Sequence, residues 1–138
     1  FLSTGYKVAQ KTLSHINGFY GVNTASAKVT AILEDLINLE AKYVSFSTND
    51  DIVSIKQAAA KRICLVGNLN GIKMVNWSEA EIVSNVKTVI KHAGRDGGLM
   101  LAESHGEIPW QVSEKVLLGI SAAVEEFGRY PLTWCNHE

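Results

Sequence analysis

The side chains best suited to chemistry gather in four short polar stretches, each following an apolar run. They are Ser14-His15-Ile16-Asn17-Gly18, Ser47-Thr48-Asn49-Asp50-Asp51, Gly67-Asn68-Leu69-Asn70-Gly71 and Glu103-Ser104-His105-Gly106-Glu107-Ile108-Pro109. Two of the four histidines, His15 and His105, fall in these stretches. Imidazole is the side chain that binds metals and exchanges protons near neutral pH. His105 stands beside Glu103 and Glu107 in a loop too polar to be core, which suits acid–base or anion-binding work. His15 reads either as a ligand or as a satisfied polar residue at a rim. Gly67-Asn68 lets a backbone approach a ligand closely, and it also makes an ordinary strand-to-helix turn. Asp50-Asp51 reads as the cap of the helix that follows, because acids favour helix N-termini. Trp77 and Trp110 follow strand ends and suit a pocket wall or a packing role. His92 sits in the last turn of a helix, and His137 lies in the tail.

Composition narrows the classes. The chain has 138 residues, 46% hydrophobic and 20% charged, with a net charge of −1. That fits one folded domain, residues 1–138, and excludes a disordered or low-complexity chain. A near-zero charge argues against nucleic acid or an anionic membrane as partner, since both demand a basic surplus. No run reaches the roughly 18 apolar residues that would cross a bilayer. Cys64 and Cys135 form neither a disulfide framework nor a CxxC zinc motif. The opening FLSTGYKVAQ does not read as a signal peptide. The expected location is therefore the cytoplasm.

The polar stretches need elements to hold them. Four apolar runs read as strands: Thr12–Ile16, Tyr43–Ser47, Arg62–Val66 and Gly98–Ala102. Between them the apolar spacing is helical. Ser78 and Glu81 make a capping box ahead of Ile82, Val83, Val86, Ile90 and Ala93, with Gly94 as a left-handed stop. A second helix runs from Ser113 through Val116, Leu117, Ile120, Val124 and Phe127 to Gly128. Ala25–Leu39 buries Val29, Ile32, Leu33 and Leu36, and a short helix at Ile52–Ala60 turns Ile52, Ile55 and Ala59 inward. The order βαβαβαβα implies an α/β fold with a parallel sheet, its chemistry beyond the carboxyl ends of the strands. Two architectures fit, a small doubly wound sheet and half of a (βα)₈ barrel, a full barrel taking about 250 residues. The absence of GxGxxG and GxxxxGK[ST] weighs against the nucleotide-binding versions of the first.

Three ordered motifs decide between them. LVGNLNGIKMVNWSEAEIVSNVKTVI, GGLMLAESHGEIP and the closing helix ending in EEFGRYPL resemble the carboxyl-terminal part of the uroporphyrinogen decarboxylase family, which also includes corrinoid and coenzyme M methyltransferases. AILEDLINLEAKYVSFSTNDDIVSIKQ and LSHING resemble the units before them. The resemblance implies a parallel βαβαβαβα chain like the C-terminal half of a (βα)₈ TIM barrel. It implies that an N-terminal half is missing, or that the half-barrel pairs with another copy as a homo-oligomer.

The two branches of the family differ at two strand ends. The zinc-using methyltransferases carry His-x-Cys-Gly at the first and a Cys in Cys-Gly-x-x-Pro at the last. The decarboxylases carry His-Gly-x-x-Pro at the last and no histidine at the first. This sequence reads His15-Ile16-Asn17-Gly18 and His105-Gly106-Glu107-Ile108-Pro109, a mixture of the two. The resemblance therefore implies a divergent methyltransferase-type member working with a corrinoid or tetrapyrrole, with decarboxylation and non-catalytic tetrapyrrole binding as alternatives. Its implied site comprises His105 and Glu107 for catalysis and Asn17, Gly67, Asn68 and His105 for substrate. With Asn17 in place of a thiolate ligand, zinc would fall to His15, His105 and Glu103, a harder set than a thiol-activating site uses. The implied partners are a tetrapyrrole or other small substrate and a corrinoid protein.

Overall fold

A computed structural model describes residues 3–136 of the chain, so His137 lies outside the described residues. The chain begins with helix α1 (Gly5–Leu13) and strand β1 (Gly21–Val22), followed by a 3₁₀ turn (Thr30–Ile32) and α2 (Leu33–Asn38). Strand β2 (Tyr43–Ser45), α3 (Ile52–Ala59), β3 (Cys64–Leu69), α4 (Gly71–Met74) and α5 (Glu79–Val89) come next. Helix α5 runs on into a π turn (Ile90–Gly94) before β4 (Leu99–Glu103) and α6 (Glu114–Phe127), and a 3₁₀ turn (Thr133–Asn136) closes the described chain.

All pairings are parallel, and the strands lie in the order β1-β2-β3-β4. That order separates the two architectures, because a doubly wound sheet reverses direction at a switch point whereas a barrel adds each strand beside the last. The sheet is thus the singly wound kind, with half the strand number of a (βα)₈ barrel. Register assigns its faces. Val44 pairs with Leu65, Leu65 with Leu99 and Leu69 with Glu103, which places these residues on one face. Val44, Leu65 and Leu69 are buried there against Leu33, Leu36 and Ile55 on one side and Ile82, Val86 and Val116 on the other. Tyr43, Ser45, Val66, Met100 and Asn68 fall on the opposite face, where Tyr43 is 41% and Met100 46% exposed. A side chain at residue 21 would collide with the Tyr43 ring 2.2 Å away, so glycine there lets the ring lie across β1.

Local chemistry sets the element ends. Ser78 Oγ accepts the Glu81 N–H while the Glu81 carboxylate accepts the Ser78 N–H, the reciprocal cap its sequence predicts. Asp51 caps α3 by accepting the Ser54 N–H at 2.7 Å. Ser113 precedes α6 without a side-chain cap bond. Leu117 and Val83, expected to face inward, are exposed. Gly94 is no left-handed stop: it belongs to the π turn, and the positive φ values fall at Gly97 and Gly98, where the chain turns into β4.

The largest correction concerns the first expected strand. Thr12–Ile16 lies across the end of α1 and the turn after it, and β1 begins at Gly21. A five-residue apolar run does not distinguish a strand from a helix end by period. Here Tyr6, Ala9 and Leu13, at helical spacing, pack on the core and decide for helix. The helix expected at Ala25–Leu39 starts only at Thr30, because Ala25 and Ser26 take positive φ in a loop pinned to β2.

Candidate functional site at the carboxyl ends of the strands

The carboxyl ends of the strands carry a continuous set of polar contacts. At the end of β1, Asn23 Oδ1 accepts the Ser45 hydroxyl at 3.0 Å and the Ala25 N–H at 2.8 Å. Next to it, Thr24 N–H donates to Ser45 Oγ at 2.8 Å and the Thr24 hydroxyl to Ser45 O at 3.1 Å. Beyond β2, Asn68 Nδ2 donates to Ser47 O at 3.2 Å, which ties the loop to β3. Beyond β4, Ser104 N–H donates to Leu69 O at 2.9 Å and extends the ladder by one residue. Gly67 makes the middle of this arrangement feasible. Its φ of +145° suits only glycine, and a Cβ would stand 2.9 Å from the Phe46 carbonyl oxygen.

Asp50 braces the same end from beneath. Its carboxylate accepts the Thr30 hydroxyl at 2.5 Å, the Val29 and Thr30 N–H groups at 3.1 Å and the Ser47 N–H at 3.0 Å. Burial by itself would raise this carboxyl, but the bonds from Thr30, Ser47 and Val29 together hold it below the usual carboxylate range. Of the acidic pair, then, Asp51 caps the helix that follows and Asp50 caps the 3₁₀ turn of the preceding unit.

His105 hangs just past β4. Its Nδ1 lies 3.3 Å from Ser104 Oγ and 3.7 Å from Glu103 Oε2, and its side chain is 22% exposed. Among the described residues Nε2 has no partner, so one ring nitrogen is committed inward and the other is available. The ring opens on a groove of about 520 Å³ lined by Ile72, Glu107, Ile108, Pro109, Trp110 and Gln111. Glu107 is exposed on its wall, and Trp110 projects freely at 90% exposure. The loop leans toward β1, since a Cβ on Gly106 would stand 3.7 Å from Asn23 Nδ2. Asn23 therefore brings an amide donor, its oxygen already committed, close to the His105 loop.

Asn68, Gly67, His105 and Glu107 thus stand at one end of the sheet. His15 and Asn17 do not. His15 follows α1, its Nδ1 2.7 Å from Lys11 O, while Asn17 lines a hollow with Leu39, Glu40 and Lys42, which immediately precedes β2. Both sit at the amino ends of the strands, opposite His105. The expected grouping of His15, His105 and Glu103 around a metal is therefore not assembled: His15 is remote, and the two Glu103 oxygens accept the His105 and Gly106 N–H groups at 2.6 Å each. Among the described residues no three His, Cys, Asp or Glu side chains converge as a metal site. His92 is exposed in the π turn, and Trp77 packs on the core. Asn23 escaped the sequence reading, although the β-favouring run Tyr20-Gly21-Val22 directly before it marks a strand end.

The family model described as "Uroporphyrinogen decarboxylase (URO-D)" matches residues 9–127. No curated protein matches the chain. Among the described residues no helix is long and apolar enough to cross a membrane.

Proposed function

The chain belongs to the uroporphyrinogen decarboxylase family, and we propose that it binds a carboxylate-bearing tetrapyrrole at the carboxyl ends of its strands, in the manner of the decarboxylase branch. The observation that carries this is His105 on the wall of the groove, with Nδ1 beside Glu103 and Ser104 and Nε2 without a partner among the described residues. An imidazolium in that position supplies both a charge and a directed donor for a carboxylate. Asn23 Nδ2, near the same loop, supplies a neutral donor. His-Gly-x-x-Pro at the last strand end is the decarboxylase pattern. With His15 at the opposite end, the strand-end pattern that remains is His105 alone.

Loss of CO₂ from a pyrrole acetate requires a counter-charge for the side-chain carboxylates and a proton for the exocyclic methylene carbon that is left, which becomes a methyl group. We assign the first task to His105. Glu107, exposed on the same groove, is the acid we assign to the second. A methyltransferase-type role would call on zinc to activate a thiol. The described residues do not fit that ion, since among them no thiolate or second histidine joins His105, and we derive no step through zinc or through a corrinoid.

The reading is tested by equilibrium titration of the chain with uroporphyrin, an octacarboxylate whose fluorescence reports binding, and in parallel with a corrinoid. Saturable uroporphyrin binding, weakened about tenfold in His105→Ala, is expected for loss of one charge-assisted hydrogen bond. Corrinoid binding without porphyrin binding would favour the methyltransferase-type alternative.

A further inference from the structure

We infer that Glu103 is a positioning residue: it fixes the loop that carries His105, so that ligand binding by the imidazole depends on a carboxylate that never touches the ligand. This rests on the function proposed above. Glu103 closes β4 and shares its register with Leu69, so its side chain starts on the helix-covered face. A carboxylate only 10% exposed there is costly unless it is well bonded. It is: Oε2 accepts the His105 N–H and Oε1 the Gly106 N–H, each at 2.6 Å, short bonds of the charge-assisted kind. They hold a turn in which Gly106 has φ +101°. Oε2 also lies 3.7 Å from His105 Nδ1, within ion-pair reach of the ring.

The rest of the fold leaves room for this clamp. A Cβ at Gly71 would stand 3.0 Å from Glu103 Oε2 and 3.4 Å from Pro109 Cδ. The first residue of α4 thus sets how closely the carboxylate can approach the loop.

The test compares wild type, Glu103→Gln, His105→Ala and the double variant by uroporphyrin titration, with amide NMR of His105 and Gly106 on each. Gln keeps one carbonyl acceptor and turns an NH₂ toward the second N–H, so one clamp bond is lost. The expected result is about tenfold weaker binding in Glu103→Gln, with the double variant no weaker than His105→Ala alone, because Glu103 acts through the ring. Equal losses from Glu103→Gln in both backgrounds would overturn the inference. Gly71→Ala, which displaces the carboxylate without removing its charge, should weaken binding in the same direction and serves where Glu103→Gln fails to fold. If wild type binds no uroporphyrin, the functional proposal fails and the NMR still decides. One of the His105 and Gly106 amides should lose its exchange protection and both should shift in Glu103→Gln, whereas unchanged amides refute the clamp.

Discussion

The Thr30 hydroxyl donates to Asp50 Oδ1 at 2.5 Å, across 20 residues of sequence. With the Val29, Thr30 and Ser47 N–H groups on the same carboxylate, this contact makes the loop after β2 the cap of the unit before it. The polar floor of the candidate site is thereby joined to two neighbouring βα units at once. Asp50→Ala should cost about 3 kcal/mol, since it strands several buried donors. Chemical denaturation should show this as a lower midpoint with an unchanged slope. The carboxyl is held below its ordinary value in the fold, so its stabilisation is complete above about pH 4 and disappears as pH falls through the folded-state value. The wild-type advantage over Asp50→Asn should shrink correspondingly in acid, and a gap that widens there would contradict the assignment.

Two serines precede helices, and only one should matter. Ser78 takes part in a reciprocal cap, whereas Ser113 makes no side-chain cap bond. Ser78→Ala should lower stability by about 1 kcal/mol. Ser113→Ala should change it by less than about 0.5 kcal/mol. Thermal unfolding of the pair, measured side by side, distinguishes them.

Gly67→Ala should destabilise the chain by about 2 kcal/mol or more, combining a backbone conformation that suits glycine with a Cβ pressed 2.9 Å from the Phe46 carbonyl oxygen. Gly97→Ala shares a positive φ but meets nothing within 4 Å. It should cost only the conformational part, near 1 kcal/mol.

The sheet face without helices predicts association. Tyr43 and Met100 are left 41% and 46% exposed on a sheet whose other face is sealed by helices. Sedimentation at micromolar concentration should show self-association that Met100→Lys weakens. Equal monomers for both proteins would show that this face needs no cover.

Much of this was legible in the sequence where signals were local. The Ser78–Glu81 cap, the Asp51 cap and the apolar spacing of α5 and α6 carry their own geometry, and the third and fourth strands lie within two residues of their expected starts. The site was legible around His105 because the polar loop follows directly on an apolar strand. It was misread at His15, where Thr12–Ile16 has the composition of a strand but ends a helix anchored through Tyr6 and Leu13. The role of Glu103 was beyond reach for another reason. A carboxylate beside a histidine reads as a metal ligand, and only the approach of Gly71 and the two loop N–H groups turns it into a clamp.

The most direct measurement is a paired uroporphyrin titration of His105→Ala and His15→Ala against wild type. His105 stands at the carboxyl ends of the strands with Nε2 free, and His15 at the amino ends with Nδ1 against Lys11 O. The predicted result is about tenfold weaker binding for His105→Ala and an unchanged curve for His15→Ala. Equal weakening by both, or by His15→Ala alone, would contradict a single site at the carboxyl ends.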